Sequence, residues 1–150
     1  MYHIIKLKAK LALTGHKVYG ELYTTCDGAK IEWENGVKNS EIEEGSIRQC
    51  TGLVDDIDNR IYADDVVAIY NDGGDVVEKC VVIWNAVNAC FCLIPFNIYN
   101  PNFDASIRKL PLGDAMDKLF EKRLSIKVVG DRDEFRDEIA AAGNGIGYPV

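Results

Sequence analysis

Five aspartates crowd one short stretch of this 150-residue chain: Asp55, Asp56, Asp58, Asp64 and Asp65. Carboxylates at such density suggest a divalent-cation loop. A calcium loop, however, needs glycine at its sixth position and a distant bidentate glutamate. Counted from Asp55 or Asp56, the sixth residue is Arg60 or Ile61, so the template fails and a structural polar loop is expected. Cys90 and Cys92 are two apart and share one face of a strand, with Cys80 on the preceding strand as their expected neighbour. Structural zinc takes four Cys or His ligands at short paired spacing. His3 and His16, the two histidines, lie in the other part of the chain, so buried hydrophobic thiols are the expectation. No arrangement brings a histidine to Cys26, Cys50 or Ser46 as a nucleophile–base pair. The glycines of 143–147 lack the strand and helix that a phosphate-binding loop requires. Neither catalytic residue, metal nor cofactor is expected.

Charge and composition narrow the classes further. Hydrophobic residues form 47% of the chain, enough for a folded core. Net charge is −7 but uneven. Residues 1–20 carry Lys6, Lys8, Lys10 and Lys17 with no acid, whereas residues 21–80 carry five basic against fifteen acidic side chains. An acidic whole argues against duplex binding, where Lys and Arg replace condensed counterions. The five cysteines are odd in number, and Lys6, Lys8 and Lys10 interrupt the N-terminal apolar stretch. Reduced thiols, no signal peptide, no membrane span and a cytoplasmic location are expected.

The elements read as mostly β. From Ile5 to Leu13 apolar residues alternate with Lys6, Lys8 and Lys10, predicting a strand with a lysine stripe on its solvent face. Such a stripe can blunt an edge strand or meet phosphates. Strands are predicted over Val18–Thr25, where Gly20 weakens the strand or marks a bulge, and over Lys30–Glu34 before an Asn35-Gly36 hairpin turn. Val66–Tyr70, Val76–Trp84 and Ala89–Pro95 form a meander. Asp114 is placed to cap a short helix through Phe120, Leu124–Gly130 returns to strand, and Asp131–Ala142 suits a surface helix with Phe135 and Ile139 four apart. Tyr23 and Trp33, in the hairpin-rich N-terminal part with little buried mass, are expected to be exposed or at a subunit contact.

From Gln49 onward, Gln49-Cys50-Thr51-Gly52-Leu53, Asp55, Ile61-Tyr62 and Asp65-Val66-Val67 resemble the signature of the YopX family of phage and prophage proteins. Lys17–Leu22, Val81–Trp84 followed by Phe91, and Ile126–Gly130 are similar to further blocks of that family, in the same order. Within the signature, Asp65 is placed to accept backbone N–H groups before its strand, and Asp58-Asn59 to turn the loop. Asp64 replaces a family glycine, Asp131, Glu134 and Phe135 replace the family's closing polar and proline positions, and 97–123 reads as an insertion. The resemblance implies a partly open SH3-like β-barrel with an N-terminal β-hairpin subdomain and one or two short helices. The implied boundaries are 1–50 for the hairpins, 51–130 for the barrel and 131–150 for a helix and flexible tail. Trp84 and Gly130 complete the structural signature. The implied role is a homo-oligomer without known activity, acting on a host or phage protein. A nucleic-acid-associated regulator using Lys6, Lys8, Lys10, Tyr23 and Trp33 is the alternative.

Overall fold

The computed structural model of the chain describes residues 4–97 and 107–142. It is mainly β, with two antiparallel sheets, two short α-helices and no closed barrel among the described residues. Two compact units divide the chain, 1–50 and 51–150. Residues 98–106 of the expected insertion and the glycine-rich tail 143–150 lie outside the described residues.

The first unit holds β1 (Ile5–Lys10), β2 (Lys17–Thr25), β3 (Gly28–Trp33) and the start of β4 (Arg48–Val54), in the sheet order β3-β2-β1-β4. Period-2 alternation sends Leu7, Ala9, Val18 and Trp33 to one face, where they form a small core with Leu22, Ile31, Val37 and Ile42 around them. The N-terminal part therefore has a small core of its own.

Two expectations change here. Gly20 makes no bulge, because β2 stays in continuous register with β1 through it and pairs it with Trp33 of β3. A Cβ on Gly20 would lie 2.6 Å from the Trp33 ring, so the missing side chain is the space the indole occupies. Asn35-Gly36 does turn the chain, with φ of 57° and 71°, but no strand follows to complete a hairpin. Instead a 3-10 turn at Asn39–Glu41 brings the chain back, and Leu11 bridges to Ile42.

The second unit centres on a four-stranded sheet of order β8-β7-β6-β9: β6 is Asp65–Tyr70, β7 Val76–Asn85, β8 Cys90–Pro95 and β9 Ser125–Asp131. The predicted meander is β6-β7-β8, and β9 pairs antiparallel with β6 on the other side. Both faces are buried. On one, Val67, Ile69, Cys80, Val82, Leu93 and Ile126 pack against α1 (Leu112–Glu121) through Leu112, Ala115 and Leu119. These three follow the i, i+3, i+7 spacing of one helical face. The described part of the insertion thus supplies a wall of the main core. Pro111 precedes the helix and Asp114 lies inside its first turn, so Asp114 is not the cap but still faces the positive end of the helix dipole.

On the other face, Val66, Val81, Ile83, Cys92, Ile94 and Phe96 pack against Ile139 of α2 (Arg136–Ala141), with Phe135 beside them. Lys79 pairs with Glu138 at 2.8 Å and lies 5.2 Å from the Phe135 ring centre, pinning this helix to β7. Gly130 has the same role as Gly20: a Cβ there would come within 2.7 Å of Phe135.

Replacing Gly20 by Ala forces the Trp33 ring to move, and overpacking of this kind costs about 1–3 kcal/mol. A urea unfolding curve followed by tryptophan emission should show that loss, and an unchanged midpoint would contradict the packing.

Candidate functional site

The signature folds into a clasp built on carboxylates. β4 carries Thr51, whose Oγ1 donates to the Ile61 carbonyl at 2.8 Å and accepts from the Leu53 N–H at 3.2 Å. Gly52 lies between them with φ of 86°, a left-handed conformation that glycine adopts without strain. β5 (Arg60–Tyr62) then buries Ile61 and Tyr62.

Between these strands, Asp55 is only 3% exposed, yet its carboxylate accepts three backbone N–H groups. Oδ1 accepts the N–H groups of Ile57 at 3.0 Å and Asn59 at 2.9 Å, and Oδ2 accepts that of Val128 at 2.8 Å. Asp56 adds a second tie, with Oδ2 accepting the Ile126 N–H at 2.6 Å and its own N–H donating to the Ile126 carbonyl at 3.1 Å. Two neighbouring aspartates thus hold the edge strand β9 from the side β6 does not cover. Asp58, with φ of 65°, makes the turn the sequence suggested.

Asp65, 1% exposed, accepts the Tyr62 N–H at 2.8 Å, so it fixes the loop before β6. Asp64 holds a left-handed φ of 64°. Its N–H donates to Val82 O at 2.7 Å and its carbonyl accepts from Arg132 N at 2.8 Å, which fastens that conformation to both sides. Val66 and Val67 are wholly buried. At the end of the signature region Asp131 accepts the Glu134 N–H at 3.0 Å, turning the chain toward α2.

No group of three or more His, Cys, Asp or Glu side chains among the described residues is placed to hold a metal ion. A cleft of about 850 Å³ lies beside the clasp, lined by Asp56, Asp72, Phe120, Arg123 and Leu124 among others. Its nearest clasp carboxylate, Asp56, is bonded to backbone.

The cysteines separate rather than converge. Cys80 packs in the core under α1, whereas Cys92 packs in the core under α2, on the opposite face of the sheet, so Cys80 is not their neighbour as expected. None of the five cysteines forms a disulfide, and Cys26 is exposed. Burial, then the nearby Glu78 charge, pushes the Cys80 thiol well above its ordinary value of 9.0. Burial, then Cys90, raises Cys92 in the same direction.

The proposed interaction residues also move. β1 lies between β2 and β4 and is no edge strand. Lys8, opposite Tyr19 and Arg48, is 7% exposed, and Lys6 forms an ion pair with Glu21 across β2. The stripe is therefore neither fully solvated nor a guard on an open edge. Trp33 is 5% exposed and its Nε1 donates to Asn39 Oδ1 at 2.7 Å, so it anchors the returning segment instead of facing solvent. Tyr23 is half-buried opposite Lys30. Trp84, from the signature, is 47% exposed and meets Phe91 edge-to-face at 5.0 Å. Sequence reasoning missed the Asp55 and Asp56 bonds to β9, because their partners lie 70 or more positions away.

No family model matches the chain, and no curated protein matches it. Among the described residues no helix is long and apolar enough to cross a membrane.

Four measurements test this geometry. Asp55→Ala strands buried N–H donors of a charged acceptor and should lower stability by about 3 kcal/mol. Calcium or magnesium should leave the wild-type melting curve where EDTA leaves it. In the folded protein a thiol reagent at neutral pH should label Cys26 first and reach Cys80 and Cys92 only on unfolding. Because both buried thiols are raised, the folded state keeps protons that the unfolded chain loses. Stability should therefore be level below the ordinary thiol range and fall as pH rises through and above about 9.

Proposed function

We propose that this chain is a YopX-like, phage- or prophage-encoded interaction module that self-associates in the cytoplasm of a bacterial host and acts without catalytic chemistry. The observation that carries the reading is the use of the signature carboxylates: Asp55 and Asp65 are buried and bonded to backbone N–H groups, a structural task. What the chain leaves open is surface for contact. β3 ends its sheet with Gly28, Ala29, Lys30 and Glu32 exposed, and the β7–β8 turn presents Val87 at 93% exposure near Trp84. An unpaired strand edge invites a further strand, and exposed apolar tips favour docking over solvent.

A second reading, a nucleic-acid-associated regulator, is favoured by one arrangement. Lys10 faces Lys17, and Lys8 sits between Tyr19 and Arg48, so basic groups and an aromatic share one face of the first unit.

Sedimentation equilibrium separates the two. Self-association predicts a mass above 16.7 kDa that rises with concentration. A strict monomer that is retained on single-stranded DNA or RNA at low salt, and released steeply as salt rises, would replace the first reading by the second.

A further inference from the structure

The exposed edge of the first unit has a sequence that complements itself. β3 pairs with β2 on one side, as Glu21↔Glu32, Leu22↔Ile31 and Tyr23↔Lys30, and is the outermost strand of its sheet. Antiparallel ladders alternate pairs whose backbone groups face the partner with pairs whose groups face away. The β2–β3 connection is the two-residue loop Cys26-Asp27, which makes Thr25–Gly28 a hydrogen-bonded pair and repeats that state at Tyr23–Lys30 and Glu21–Glu32. The Glu32 carbonyl oxygen agrees, since it lies toward Gly20 of β2, within 2.6 Å of where a Cβ would be. The backbone N–H and C=O groups of Ala29 and Ile31 consequently point to the open edge.

The side chains on the polar face carry a local conflict. Glu21 and Glu32 stand directly opposite each other, and like charges in that position are destabilising. Lys6 answers Glu21 from the inner side. The outer side of Glu32 is the open edge.

We propose that β3 pairs antiparallel with β3 of a second copy of this chain, about a two-fold axis through Ile31. This rests on the self-association read above and assigns its surface and register. The axis places Ile31 opposite Ile31 as a hydrogen-bonded pair, using the outward N–H and C=O of both copies. It places Lys30 opposite Glu32 twice, in the non-hydrogen-bonded positions where side chains approach most closely. Each Glu32 thereby gains a cation on the side away from Glu21. On the apolar face, half-buried Ile31 of one copy meets its counterpart, extending the small core of Leu22, Ile31 and Trp33 across the axis. The product is one continuous sheet of order β5-β4-β1-β2-β3-β3-β2-β1-β4-β5. Shifting the register by two residues sets Lys30 opposite Lys30 in one direction or Glu32 opposite Glu32 in the other, and loses both Lys30–Glu32 pairs.

Charge reversal tests the register on exposed side chains. Lys30→Glu and Glu32→Lys each set two like-charge pairs across the axis, and each variant alone should dimerise roughly tenfold more weakly than wild type. Mixed in equal amounts, the two variants carry complementary strands and should form a heterodimer of near wild-type affinity, which also shows that both remain folded. The double variant Lys30→Glu/Glu32→Lys should dimerise with itself. Sedimentation velocity reads all four species. A wild-type oligomer that neither reversal weakens, or two weakened variants that fail to rescue each other, would overturn the β3 register while leaving self-association standing. A wild type that stays monomeric at the highest attainable concentration would overturn both.

Discussion

The structure of the second unit depends on a buried carboxylate surrounded by backbone N–H groups. A strand at the end of a sheet has donors and acceptors that must be satisfied, and in a buried setting an unmet group costs about as much as a lost hydrogen bond. β9 is such a strand, and Asp55 and Asp56 reach its outer side at Val128 and Ile126. The same Asp55 closes its own loop through Ile57 and Asn59, so loop shape and sheet edge are set together. A carboxylate this deep is tolerable because its oxygens accept three backbone N–H groups, and a buried polar group is stable when it is hydrogen-bonded.

With β9 held there, both faces of the four-stranded sheet can be covered. α1 closes one side through Leu112, Ala115 and Leu119, and α2 closes the other through Ile139, with Phe135 seated over Gly130. Alternation along β6 and β7 sends Val67 and Cys80 to the first layer and Val66 and Val81 to the second. A strand covered on both sides reads in sequence as a continuous apolar run, which is the pattern of Val66–Ile69 and Cys80–Ile83. The segment expected as an insertion is therefore part of the architecture, since its described part includes α1.

The first unit solves a different problem. Its sheet has one apolar face and one charged face, and its core is small. Trp33 compensates by lying over Gly20 and donating to Asn39, which joins the sheet to the chain that returns toward β4. The charged face is organised by strand order. With β1 in the interior, Lys6 meets Glu21 of β2 and Lys8 meets neighbours on both sides, and the open edge falls to β3 with its alternating Lys30, Ile31 and Glu32.

Local pattern by itself determined a good deal of this protein. Period-2 alternation marked β1, apolar runs marked β6 and β7, and Asp65 before Val66 announced a side-chain lock on the preceding backbone, which falls on Tyr62. Those signals are legible because they act over a few residues, through backbone preference and short hydrogen bonds. Tertiary structure alone decided whether the lysine stripe faced solvent, whether Trp33 was outside, which face Cys80 shared, and what Asp55 and Asp56 held. Each of those outcomes depends on which strand lies beside which. Strand order is set by burial and backbone pairing between segments tens of residues apart, and the residue types of a single strand do not name their neighbour.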